Sequence, residues 1–198
     1  KKITSICRGK IMITFSTEED FNKVCEEFEY FRLSKKKRWG YSKEVLKMLK
    51  PFCENINTSF EIGTSGFQCI RESVTPTDSF DARTSWPYED KQFDIVIALQ
   101  VWEHLWEPTD EQVNDWSIPK QKEAFNELKR VSKSAILSVP YDWGEWTNTL
   151  PNNVHYGITM DKILEWSSGL EPVEIVDVPC QLGRRGSRRI CRWVFQDD

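Results

Sequence analysis

Apolar positions along this 198-residue chain recur at helical spacing in some stretches and run nearly continuously in others. Near the start, Phe21, Val24, Cys25, Phe28 and Phe31 recur at helical spacing behind Ser16 and, three residues later, Glu19. This predicts a capped amphipathic helix. Val45, Leu46, Leu49 and Phe52 repeat the pattern behind Ser42, predicting a second helix that ends between residues 51 and 55. Between the two, Lys35-Lys36-Lys37-Arg38 beside Trp39-Gly40-Tyr41 reads as a basic turn, either a solvated linker or a phosphate contact. Residues 1–55 are thereby expected to form a helical layer, and residues 56–198 the core.

The core pattern is different. Residues 58–63 are a short apolar strand ending in Glu61 and Gly63, after which Gly63-Thr64-Ser65-Gly66 can turn tightly. Residues 93–99 form a nearly continuous branched apolar run, as a parallel strand covered on both faces does. Residues 120–132 carry Ala124, Phe125, Leu128 and Val131 on one helical face, and residues 135–139 are the next buried strand. Strand, helix and strand in that order predict a parallel pair. Thr159 or Asp161 caps a short helix closed by Gly169. Residues 172–178 and 189–195 are then two strands with too short a connection for a parallel crossover, so they pair antiparallel. The fold class is α/β, with a mostly parallel sheet and a C-terminal antiparallel hairpin.

Composition narrows the partners. A net charge of −4 supplies no field that draws the chain to polyanions, so nucleic acid is not the expected partner. No apolar run approaches the roughly 18 residues of a membrane span, so no membrane association is expected. Lys1-Lys2 lacks the apolar segment of a signal peptide. The six cysteines have no C-x-x-C pair and no histidine neighbours, which predicts buried thiols in a reducing, cytoplasmic setting and no metal site.

Several motifs, in order, resemble the class I S-adenosylmethionine-dependent methyltransferases that act mostly on small molecules. Glu61-Ile62-Gly63-Thr64-Ser65-Gly66 is similar to the first strand and glycine loop that hold the methionine part of the cofactor. Asp81-Ala82, followed by residues 86–96, resembles the segment in which an acidic residue meets the adenine amino group before the family's fourth strand. Gln100-Val101-Trp102-Glu103-His104-Leu105 resembles the turn after that strand, and residues 125–131 and 136–140 the helix and strand that follow. The resemblance implies a Rossmann-like methyltransferase sheet, S-adenosylmethionine as cofactor and a small-molecule substrate. It also shows two departures. Ser65 stands where the family has its middle glycine, and only the 14 residues 67–80 separate Gly66 from Asp81. There is no room for the family's second and third strands, so the sheet is expected to be truncated. The ribose carboxylate, ordinarily about 20 residues past the glycines, is then absent or supplied by Glu72 or, preferably, Asp78. An exposed edge would invite coverage by the N-terminal layer or formation of a homodimer.

Methyl transfer needs alignment of the attacking lone pair, exclusion of water and, for a hydroxyl or amine, a base. The cofactor would be held by Glu61, Gly63, Thr64, Ser65, Gly66, Asp78, Asp81, Ala82 and Gln100. Glu61 either meets the cofactor amine or caps the adjacent loop, and Asp81 is either an adenine contact or a surface turn residue. His155 and His104, in loops on the ligand side, are the candidate general bases. Glu103, Tyr141, Asp142, Trp143 and Trp146 would contact substrate, and Arg184 and Arg185 an anionic group on it. Arg184, Arg185, Arg188 and Arg189 around Gly186 also suit an exposed hairpin that guards its edge. The expected activity is methyl transfer to oxygen or nitrogen of a small acceptor. A non-catalytic relative serving protein interaction is the alternative.

Overall fold

The expected strands assemble into one sheet. The structure, a computed structural model, describes residues 13–64, 66–105, 118–144, 157–179 and 186–195. Its strands are β1 (Ser59–Ile62), β2 (Ile95–Leu99), β3 (Ser134–Tyr141), β4 (Glu174–Pro179) and β5 (Ser187–Val194), and its helices are α1 (Glu18–Glu27), α2 (Glu29–Leu49), α3 (Ile118–Val131) and α4 (Met160–Trp166). The strand order is β1-β2-β3-β5-β4, parallel through β1, β2 and β3 and antiparallel for β3 with β5 and β5 with β4. The α/β class, the parallel core and the terminal hairpin thus stand as read from the pattern.

Each sheet face has its own core. Phe60, Val96, Ala98, Ala135, Leu137 and Trp193 face α3 and α4, where Phe125 and Trp193 meet edge to face at 5.3 Å. On the other face Ile95, Ile97, Ile136 and Ile190 pack with Phe21, Val45 and Leu49 of α1 and α2. The N-terminal helices therefore share a core with the sheet. This burial of apolar area, at about 1.5–3 kcal/mol per large side chain, is what fastens them.

The helices differ from expectation in two places. The cap of α1 is Thr17, not Ser16, and its box partner is Asp20, not Glu19. Ser16 is instead drawn into backbone pairing, donating its amide to the Cys69 carbonyl. Secondly, α2 runs unbroken through residues 35–41, where a turn was expected. Lysine and arginine are good helix formers, and Gly40 is tolerated because packing, not propensity, holds this helix. One consequence is that Tyr41 and Ser42 are buried against the sheet.

Residues 66–94 are all described, and they contain no strand of the sheet. The space beside β1 is filled by a stand-in. Val74 makes a single parallel bridge with Phe60, giving its amide to the Ser59 carbonyl and its carbonyl to the Glu61 amide, both at 2.9 Å. Ile70 in turn bridges Phe15. The edge left by the shortened sheet is covered from within the chain. At the opposite end of β2, Asp94 binds the amides of Asn57 and Thr58 and pairs with Lys133 at 2.8 Å, the structural cap expected of an acid at a strand's start.

Candidate active site

The carboxyl ends of the three parallel strands, where ligands of open α/β sheets bind, lead into the turns that carry several of the candidate residues. After β1 the chain turns through Gly63 and Gly66, both exposed and both at positive φ, +71° and +98°. A methyl group on Gly63 would overlap the Cγ2 of Val101, and one on Gly66 would lie 3.0 Å from the Phe28 ring. Glycine is required at Gly63 because the first turn after β1 and the first turn after β2 touch there.

Glu61 lies behind this turn, 2 % exposed, on the α1 and α2 face. Its Oε2 accepts the Cys69 amide at 2.8 Å, and its Oε1 accepts the Ile70 amide at 2.7 Å and the Ser73 hydroxyl at 2.9 Å. Ser73 and Ser59 hydroxyls meet at 2.6 Å. Burial pushes the Glu61 carboxyl up to about 7, although these three donors favour its ionised form. The carboxylate thus organises residues 69–74, the segment that stands in for the absent second strand. These are the contacts of a carboxylate that caps the adjacent loop.

Asp81 forms a two-pronged pair with Arg83, at 2.9 Å to Nε and 2.6 Å to Nη2, and the guanidinium holds its pKa down at about 2. It is a fixed, ionised acceptor. Ala82 is buried, its carbonyl taking the Trp86 indole N–H at 3.1 Å. Asp78 is exposed, whereas Glu72 binds the Thr14 amide at 2.7 Å.

After β2, Gln100 has φ +59° and its side-chain amide donates to the Ser138 hydroxyl at 3.2 Å, tying this turn to β3. Trp102, Glu103 and His104 follow in a single 3-10 turn. Trp102 points inward and donates to the Gln121 carbonyl. His104 is exposed, yet desolvated enough to sit below its ordinary pKa of 6.5. Glu103 is 1 % exposed and, among the described residues, neither of its carboxyl oxygens has a hydrogen-bond partner. Burial pushes it up to about 8, while its own amide dipole and the charge of Arg188 pull it back only in part.

Tyr141, the last residue of β3, lies under Arg189; beyond it Asp142 has φ +53°, and the Trp143 indole donates to the Ser187 carbonyl at 2.8 Å. This joins the loop after β3 to the start of β5. Ser65, Trp146, His155, Arg184 and Arg185, also expected in the site, lie outside the described residues. The residues that the sequence reading missed are Phe28 and Val101, which contact the glycine turn, and Tyr41, which reaches Arg188 from α2. A different concavity, an open cleft between Trp86, Tyr88, Gln92 and Arg130, lies at the amino ends of the strands. Its arginine is saturated by Glu127, Asp90 and two carbonyls.

No protein-family model matches the chain, and no curated protein matches its sequence. Solved structures do resemble it. A chain from the complex between the Haloferax volcanii Trm112 methyltransferase activator and a methyltransferase superposes with a TM-score of 0.53 at 10 % identity, over 90 % of this chain and 98 % of that one. The N-methyltransferase NodS of Bradyrhizobium japonicum WM9 gives 0.51 at 12 % identity, over 78 % and 96 %. Magnesium protoporphyrin IX methyltransferase of Synechocystis PCC 6803, solved with S-adenosylhomocysteine, gives 0.50 at 13 % identity, over 83 % and 87 %. The fold is that of the class I S-adenosylmethionine-dependent methyltransferases. Within it, this chain carries a sheet shortened beyond β1. No helix among the described residues is long and apolar enough to cross a membrane.

Proposed function

We propose that the protein transfers the methyl group of S-adenosylmethionine to an oxygen or nitrogen of a small acceptor. The observation that carries this reading is the exposed glycine turn at the end of β1, set at the same end of the sheet as Gln100, Glu103, His104, Tyr141 and Trp143. The residues present fit the methionyl and adenine parts of the cofactor better than its ribose. The turn of Gly63, Thr64 and Gly66 reaches the surface, and Asp81 is an ionised carboxylate that would meet an amino group by sharing oxygens already bound by Arg83. Glu61 has both oxygens occupied and acts as a positioning residue, holding residues 69–74 behind the turn. For the ribose hydroxyls, Asp78 is the exposed carboxylate that remains.

When bound, the cofactor supplies an electrophilic methyl on a sulfonium. The chain's own work is to align the acceptor, keep water out and take a proton. Tyr141 and Trp143 wall the acceptor side, and His104, kept neutral near pH 7 by its depressed pKa, accepts the proton. His155 has the same role available to it. A small acceptor is the partner this site calls for.

Calorimetric titration of the full chain with S-adenosylhomocysteine tests the reading. Saturable one-to-one binding is expected, weakened about tenfold by Asp81→Ala, the worth of one hydrogen bond to a charged group. Absence of binding by folded protein would overturn the assignment and leave the interaction reading in its place.

A further inference from the structure

Arg188 lies on β5 opposite Pro140, level with the carboxyl end of β3. Its guanidinium carbon is 5.0 Å from the Tyr41 ring centroid and 5.3 Å from that of Trp143. Aromatic contacts of this kind hold the guanidinium and leave its N–H fork free for an anion. The Arg188 side chain makes no hydrogen bond or ion pair among the described residues. Its strand neighbours differ in this respect. Arg189 is paired with Asp177 at 2.6 Å and Arg192 with Glu174 at 2.9 Å. The charge of Arg188 is felt by Glu103, the buried carboxyl whose two oxygens have no partner, yet no ion pair joins them. A buried polar group left unsatisfied is costly, and native structures keep few without a reason. Here a guanidinium and a buried carboxyl that keeps its proton near pH 7 stand at the ligand end of the sheet, neither side chain with a hydrogen-bond partner among the described residues and not bonded to each other.

We propose that Arg188 and Glu103 form the acceptor subsite, which takes a small molecule bearing a carboxylate or phosphate for the guanidinium fork and a hydroxyl or amino hydrogen for the Glu103 carboxyl. The inference rests on the methyl-transfer reading and names the substrate class for it. Tyr41 and Trp143 flank the bound anion's seat, so the N-terminal helix α2 contributes directly to acceptor recognition. Arg189 and Arg192 cannot take this part, because their forks are already engaged.

The test uses the full 15N-labelled chain, titrated at constant ionic strength with inorganic phosphate, acetate and glycolate while amide and indole N–H signals are followed. Saturable shifts at Ser187, Arg188 and the Trp143 indole are expected, with whichever of phosphate and acetate binds tighter identifying the anion. Arg188→Gln is expected to weaken binding at least tenfold, Arg188→Lys to weaken it several-fold, and Arg192→Gln to leave it unchanged. Glycolate, which adds a hydroxyl to acetate, should bind several-fold tighter than acetate to the wild type and equally to Glu103→Ala. Unsaturable shifts, or equal weakening by Arg192→Gln, would overturn the anion seat, and equal affinity for glycolate and acetate in the wild type would overturn the part given to Glu103. Binding of S-adenosylhomocysteine measured on the same samples separates the two failures. Cofactor binding without anion binding sinks the subsite alone, and anion binding without cofactor binding sinks its assignment to a methyl acceptor.

Discussion

Glu61→Ala is expected to destabilise the fold by about 3–5 kcal/mol, the cost of leaving several buried donors unpaired. The Cys69 and Ile70 amides and the Ser73 hydroxyl all end on this one carboxylate, inside a site that is 2 % exposed. Burying the carboxylate is itself unfavourable, so the native protein gains from Glu61 only because all three donors are matched. Glu61→Gln should fall between, since its carbonyl oxygen can still accept the Ile70 amide and the Ser73 hydroxyl while its NH2 group is set against the Cys69 amide. Urea unfolding followed by circular dichroism measures both. A loss below about 1 kcal/mol for the alanine variant, within the range of an ordinary surface change, would show that residues 69–74 are held by something else. The site would suffer with the fold, because this segment backs the glycine turn.

The second large effect is a pH dependence centred on Glu103. Its ordinary value of 4.5 is raised to about 8 in the folded protein by burial. Between those values the native state holds a proton that the unfolded chain has released, so stability falls as pH rises. The stabilising contribution is complete below about pH 4.5 and is lost by the time pH has passed through about 8. Relative to Glu103→Gln, the wild type should lose on the order of 4 kcal/mol across that window. Glu61, raised to about 7, acts in the same direction, and His104, lowered below 6.5, acts in the opposite one. The comparison of wild type with Glu103→Gln cancels both. Thermal unfolding from pH 5 to 9 should therefore show converging or crossing curves for the two proteins, and parallel curves would refute a buried, uncompensated Glu103.

Much of the sheet was legible because its signals are periodic. The nearly continuous apolar run of residues 93–99 and the short connection before residue 189 each point to one pairing mode, and both were found. The missing strands could be read from length alone, since residues 67–80 are too few to hold them. What filled the gap was not legible. The register of Cys69, Ile70 and Val74 against β1 belongs to an irregular segment with no repeat to encode it, so Glu61 was left with two readings. The course of α2 was missed because a charged stretch beside a glycine resembles a linker, while the apolar contacts that carry the helix onward come from the sheet. That error hid Tyr41, and with it the difference between Arg188 and its neighbours. Strand alternation places Arg188 with Ile190 on the α2 face and Arg189 with Cys191 on the other. The signal was present in the sequence, but the four arginines were read as one group.

The most direct test of cofactor binding at the truncated sheet is to map S-adenosylhomocysteine onto the assigned amide spectrum of the full chain. Saturable perturbations are predicted at Gly63, Thr64, Gly66, Asp81 and Gln100, with Trp86, Tyr88 and Gln92 at the opposite end of the strands unmoved. Perturbations confined to that opposite cleft, or none at all in folded protein, would contradict a methyltransferase site at the carboxyl ends of β1 and β2.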